Sequence, residues 1–133
     1  MLFRSIVREM WEKWILLASL GSITCLMRGN VGEIEAASGG LEFVLKMFDE
    51  VVAIAKAAGT APSEEFLVEA KATLTAKGST FTSSMYRDLL KGRPIEADQI
   101  VGDLLMRGGG ARVATPLLAA AYTHLSVYQN RLS

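Results

Sequence analysis

The chain has 133 residues, half of them hydrophobic, with 14 basic side chains against 14 acidic ones. That length suits one domain with one buried core, and the apolar fraction excludes a disordered chain. The balanced charge provides no overall field for nucleic acid or an anionic membrane, so any anionic ligand must be met by local charge.

Ala, Leu, Met, Glu and Lys are abundant and only three prolines occur, a mixture that favours helices. Ile6, Val7, Met10, Trp11 and Trp14, preceded by Leu2 and Phe3, recur at steps of three and four. They predict one long helix, or a pair kinked at Gly21. The apolar run Trp14 to Met27 is shorter than the roughly 20 residues a membrane span needs. It contains Ser19, Gly21, Ser22 and Thr24 and follows the mixed charges Arg4, Arg8, Glu9, Glu12 and Lys13, which suit neither a signal peptide nor a membrane anchor. It reads as a core helix. The single Cys25 lies within it, with no partner for a disulfide or metal cluster, as expected of a buried thiol in a reducing, cytoplasmic compartment.

Arg28-Gly29-Asn30 is a stop followed by a new cap, and Val31 to Ala37 make a short helix before the Ser38-Gly39-Gly40 break. The next helix runs from Leu41 to Ala58 and ends at Gly59. Ser63, followed by Glu64 and Glu65, caps a helix reaching Lys77. Thr82 to Lys91 forms the next, with Gly92 as terminator. Pro94 is expected in the opening turn of a helix reaching Arg107, Gly108 to Gly110 form a loop, and Thr115 to Asn130 is the last helix with Pro116 at its start. No strand pattern competes. The fold class is all-α, a single bundle of six or seven helices over residues 1–133.

Three places could carry chemistry. Ser84 and Asp88 stand four residues apart and share a helix face, although a serine here is also a natural helix cap. Glu96 falls in the turn opened by Pro94, where the helix dipole favours its charge. Lys13 lies between Trp11 and Trp14, where an ammonium can lift to solvent along an apolar stem. The chain has no glycine-rich fingerprint for a dinucleotide, no phosphate loop and no metal-ligand spacing, and its one histidine, His124, sits in an Ala- and Leu-rich helix as a structural or surface group.

From Ser83 to Gly102 the sequence resembles the C-terminal domain of the ketopantoate reductases (2-dehydropantoate 2-reductases). Their pattern S-S-M-x-x-D, a spacer, then E-x-D-x-x-x-G is matched by Ser83, Ser84, Met85, Asp88, Glu96, Asp98 and Gly102. Trp11-Glu12-Lys13 is similar to the W-x-K that opens that domain, and Thr115-Pro116 falls where the family has a late proline. The resemblance implies a helical body like the C-terminal domain of 6-phosphogluconate dehydrogenase, coupled in relatives to an N-terminal Rossmann domain that holds NADP and is absent from this chain. It implies hydride transfer to a small 2-keto acid, with Lys13 as general acid, Glu96 holding its ammonium, Ser84 bonding the substrate and Asp88 as a supporting contact. It also implies a homodimer, and inactivity of this half alone. The family's asparagines fall at Leu17, Gly21 and Phe81 here, which points to a more apolar keto acid. The alternative is a non-catalytic helical module for self-association or partner binding. The enzymatic reading requires Lys13 and Glu96 to converge beside one small cavity.

Overall fold

The structure, a computed structural model, describes the backbone of residues 2–133 and the side chains of residues 6–133. The side chains of Leu2, Phe3 and Arg4 lie outside that set. The described chain is all-α, with seven α-helices and one π-helical turn: α1 (Leu2–Met27), α2 (Val31–Ala36), α3 (Gly40–Ala57), α4 (Glu64–Leu74), α5 (Ser84–Leu90), the π turn Asp98–Gly102 running directly into α6 (Asp103–Gly110), and α7 (Pro116–Leu132).

The first helix is the axle of the molecule. Its 26 residues run about 39 Å without a break. Every residue from Ala18 to Cys25 is buried, so this stretch is enclosed on all sides, chiefly by α3, α7 and α5. No helix among the described residues is long and apolar enough to cross a membrane. Gly21 does not kink it. A Cβ built there would lie 3.5 Å from the Sδ and Cε of Met85, so the glycine is filled by a neighbour's thioether instead of opening the helix. Around α1 the core gathers Ile15 and Ile23 with Met47, Phe48, Val51 and Ile54 of α3, Leu104 of α6, and Leu118 and Leu125 of α7.

Helix ends follow local chemistry in most places. Asn30 accepts from the Glu33 N–H while Glu33 bonds back to the Asn30 N–H, a reciprocal cap at α2. Ser63 caps α4, and Pro116 opens α7. Gly92 takes φ 71° after α5, the left-handed turn that closes a helix at least cost for glycine.

Three expectations are corrected. Helix α4 stops at Leu74 instead of Lys77: the Thr75 hydroxyl bonds back to the Lys71 carbonyl at 2.6 Å, and the chain leaves to cross the start of α2. There Ser79 and Phe81 carbonyls accept from the Gly32 and Val31 N–H groups at 2.8 and 2.9 Å. Pro94 opens no helix, because residues 93–96 have no regular secondary structure and the first helical residue is Ala97, so Glu96 sits just outside the helix. The run Gly108 to Gly110 is not a loop but the last turn of α6. Gly108 is buried where a Cβ would stand 3.0 Å from Ile54, so its small size lets α6 press on α3. The reversal that follows uses Arg112, at φ 59°, with Val113 and Arg112 N–H groups bonded back to the Gly108 and Gly109 carbonyls.

Candidate functional site

Ser84, Asp88 and Glu96 line one open cavity of about 280 Å³ together with Met85, Pro94, Ile95 and Ile100. The first two are one turn apart on α5. Glu96 reaches the same space because Gly92 reverses the chain and the irregular segment 93–96 returns beside α5. That return is pinned twice: the Arg93 N–H bonds the Asp88 carbonyl at 2.9 Å, and the Tyr128 hydroxyl of α7 donates to the Arg93 carbonyl at 2.6 Å. Burial pushes the Tyr128 phenol above its ordinary range, and the neighbouring Asp88 carboxylate adds to the shift.

The two serines divide their labour. Ser83, buried, is the cap of α5: its hydroxyl accepts from the Tyr86 N–H at 3.0 Å and shares a 2.7 Å hydrogen bond with the Thr24 hydroxyl of α1. The capping role considered for Ser84 therefore belongs to Ser83, and Ser84 is left exposed on the first turn of the helix, facing the cavity. Cys25, next to Thr24, is fully buried, and its thiol is pushed up to about 12 by burial, against a smaller lowering from Ser83.

Lys13 does not line the cavity and makes no ion pair with Glu96, so the expected convergence of these two side chains is not made in this structure. It is exposed on α1, and the adjacent Trp14 fixes how α1 meets the site, since its indole N–H donates to the Ile100 carbonyl at 2.8 Å. At about 100° per residue, Lys13 and Leu17 differ by about 40° around α1 and so share one face. Gly21, a further turn along that face, abuts Met85. Trp11 and Trp14 stack with ring centroids 5.0 Å apart, and the Arg107 guanidinium lies over both, 5.9 and 5.4 Å from the ring centres.

Several contributors could not be read from the chain. The π turn is one, and such turns often occur at functional sites because they displace backbone groups from the regular ladder. Here Ile100, whose carbonyl Trp14 binds, belongs to it. Asp98 and Gly102, matched as motif positions, hold this turn against α7: Asp98 accepts from the Tyr122 hydroxyl at 2.5 Å, and a Cβ on Gly102 would stand 3.0 Å from that ring. The only advance signal for Trp14 and Tyr122 was an aromatic residue with a polar atom to satisfy.

The helical body is similar to several known proteins. The curated relatives include the oxidoreductase YkpB of Bacillus subtilis, 26% identical over 93% of this chain and 41% of that protein, and the 2-dehydropantoate 2-reductase of Vibrio cholerae, 23% identical over 96% of this chain and 43% of that protein. The chain thus spans about two fifths of their length. Among solved structures, the dimeric ketopantoate reductase from Staphylococcus aureus superposes with a TM-score of 0.85 at 23% identity, over 96% of this chain and 45% of that one. D-mandelate dehydrogenase with NADH and anilino(oxo)acetate has a TM-score of 0.78 at 20% identity, over 96% of this chain and 42% of that one. At these identities the superpositions speak for the fold. The family model described as ketopantoate reductase PanE/ApbA C terminal matches residues 5–129, nearly the whole sequence, and the chain belongs to that family.

Proposed function

We propose that this chain is the substrate-binding and dimerisation part of a cytoplasmic, NADP-dependent oxidoreductase that reduces 2-dehydropantoate or a related 2-keto acid to the 2-hydroxy acid. The observation that carries the reading is the cavity shared by Ser84, Asp88 and Glu96, residues drawn from α5 and from the irregular return before the π turn. The chain's own glycine run does not fit a phosphate-binding role, since Gly108 to Gly110 are helical and Gly108 packs on Ile54. The dinucleotide is therefore assigned to an N-terminal Rossmann domain, and the nicotinamide held there supplies the hydride.

What this chain supplies is the proton and the binding groups. Ser84 offers a hydroxyl to the substrate. Asp88 and Glu96 would by themselves repel a keto acid's carboxylate, so a cation has to stand near them. We assign that place to Lys13, whose exposed ammonium would have to swing to Glu96 when substrate binds, since the two are not ion-paired in this structure, with Asp88 supporting the substrate contact. As the carbonyl becomes an alkoxide it takes a proton from the Lys13 ammonium, leaving a neutral amine that solvent reprotonates. Support for Lys13 comes from its position on α1 beside Trp14, whose indole N–H binds the Ile100 carbonyl, and on the face where Gly21 meets Met85, both partners being lining residues of the cavity.

The test joins the chain to a Rossmann domain of a relative and follows cofactor absorbance with 2-dehydropantoate. Lys13→Ala should reduce turnover about a hundredfold to ten-thousandfold, the usual worth of a general acid. The chain alone should turn nothing over. A joined protein with no turnover of any 2-keto acid would favour the non-catalytic association module instead.

A further inference from the structure

Glu96 stands in the cavity with little of its own to hold it. Among the described residues its carboxylate makes no ion pair, so its place depends on the backbone that carries it. Ile95 and Ala97, on either side, are 9% and 0% exposed. Their burial turns Glu96 outward, but it does not settle how far the residue stands from Ser84 and Asp88 on α5. That separation is set at Arg93. Pro94 has no N–H, and the N–H groups of Ile95 and Glu96 make no backbone bond among the described residues; bonding resumes where the Ile100 N–H donates to the Glu96 carbonyl. At Arg93 two bonds close on one residue: its N–H donates to the Asp88 carbonyl at 2.9 Å, and its carbonyl accepts from the Tyr128 hydroxyl at 2.6 Å. That carbonyl lies in the peptide plane from which Pro94 departs, and the proline ring locks the next torsion, so holding the oxygen aims the residues that follow.

We infer that Tyr128 is a positioning residue of the cavity, acting through the Arg93 carbonyl to fix the separation of Glu96 from Ser84 and Asp88. Its ring does not line the cavity, and its hydroxyl proton is committed to Arg93, so Tyr128 neither touches a bound acid nor donates to one. Burial and the Asp88 carboxylate hold the phenol above its ordinary range, which keeps the donor intact through neutral and mildly alkaline solution. The bond crosses from α7 over 35 residues of sequence, outside the segment from Ser83 to Gly102 that carries the cavity residues. What Glu96 does once placed rests on the functional reading above; the tie that places it does not.

Tyr128→Phe keeps the ring and deletes the donor. In the chain by itself, hydrogen exchange at the Arg93 amide, read by NMR, should quicken about tenfold, the worth of one hydrogen bond. The melting temperature should stay within about 5 °C of native. In the chain joined to a Rossmann domain, kcat with 2-dehydropantoate should fall about tenfold to a hundredfold, the cost of a group displaced by up to about 1 Å, while KM changes by less than about twofold. A general loosening of the fold would add to any other lesion, so a double-mutant cycle with Glu96→Gln separates the two causes. In the Glu96→Gln background, Tyr128→Phe should cost less than about a further twofold. Full additivity of the two losses, or unchanged exchange at Arg93, overturns the positioning role and leaves the 2-keto acid reading standing. A native joined protein that reduces no 2-keto acid overturns that reading, and with it the part of Tyr128 in turnover.

Discussion

Ser83 and Ser84 are chemically identical neighbours that the structure places in opposite surroundings, one buried as a cap and one exposed at the cavity, and replacing each by alanine separates them. In Ser83→Ala, α5 loses its capping hydroxyl, worth about 1 kcal/mol, together with the buried bond to Thr24 that spans 59 residues of sequence, worth about 1 to 1.5 kcal/mol. Thr24 keeps its second bond, to the Leu20 carbonyl at 2.7 Å, so it is not orphaned and no larger penalty applies. The loss should be about 2 to 2.5 kcal/mol, a fall in Tm on the order of 10 °C for a chain this size. Ser84→Ala removes an exposed hydroxyl and should change stability by less than about 0.5 kcal/mol. It should instead weaken binding of a 2-keto acid about tenfold, the value of one hydrogen bond. Thermal denaturation followed by circular dichroism, paired with NMR titration, reads both effects. If Ser84→Ala destabilises as much as Ser83→Ala, the assignment of cap and ligand group is wrong.

Three further outcomes follow from the packing. The Glu50 carboxylate accepts from the Leu117 and Leu118 N–H groups at 3.1 and 2.9 Å, tying α3 to the start of α7; Glu50→Gln should cost about 1 to 2 kcal/mol in urea denaturation through lost charge assistance, and an unchanged midpoint would remove this bond from the stability of α7. Gly32→Ala should destabilise by more than about 2 kcal/mol, since its Cβ would fall 2.6 Å from the Ser79 backbone nitrogen and oxygen; a variant as stable as the parent would mean that the 79–81 segment does not rest on α2. The Cys25 thiol, raised from 9.0 to about 12, should react with a disulfide reagent at pH 8 about a thousandfold more slowly than in the unfolded chain. Its neutral form contributes stability in full below pH 9, a contribution lost as pH rises from 9 toward 12; rapid labelling of the folded chain at pH 8 would show the thiol to be open.

Much of this was legible in the sequence where the cause is local. Gly92 as terminator, Asn30 and Ser63 as caps and Pro116 as opener each depend on a residue's own backbone or on a group three positions away. The glycine run misled for the opposite reason. Three glycines in a helix are costly, roughly 1 kcal/mol apiece relative to alanine, and only the distant Ile54 explains why Gly108 is needed within α6. The left-handed turn was then taken by Arg112, a residue type that carries no signal for it. Of the candidate site, the pair Ser84 and Asp88 follows from helical spacing alone. Glu96 joins them because the chain reverses at Gly92 and is pinned at Arg93 by Asp88 and by the distant Tyr128, a contact that no periodicity reveals.

The cavity is assembled from pieces too short to hold themselves: α5 has seven residues and the π turn five, well below the length at which a helix is stable alone. Each is held by a bond from a longer element: Ser83 by Thr24 of α1, Ile100 by Trp14 of α1, and Arg93 by Tyr128 of α7. Two of these anchors lie on the helix that also carries Lys13 and Leu17. Because α1 is continuous and enclosed from Ala18 to Cys25, the register that seats Thr24 against Ser83 also sets the angle at which Trp14 meets Ile100. A one-residue slip would turn Trp14 by about 100°. The Thr24 and Trp14 anchors of the cavity are thus positioned by the core, through the same buried stretch that stabilises the fold.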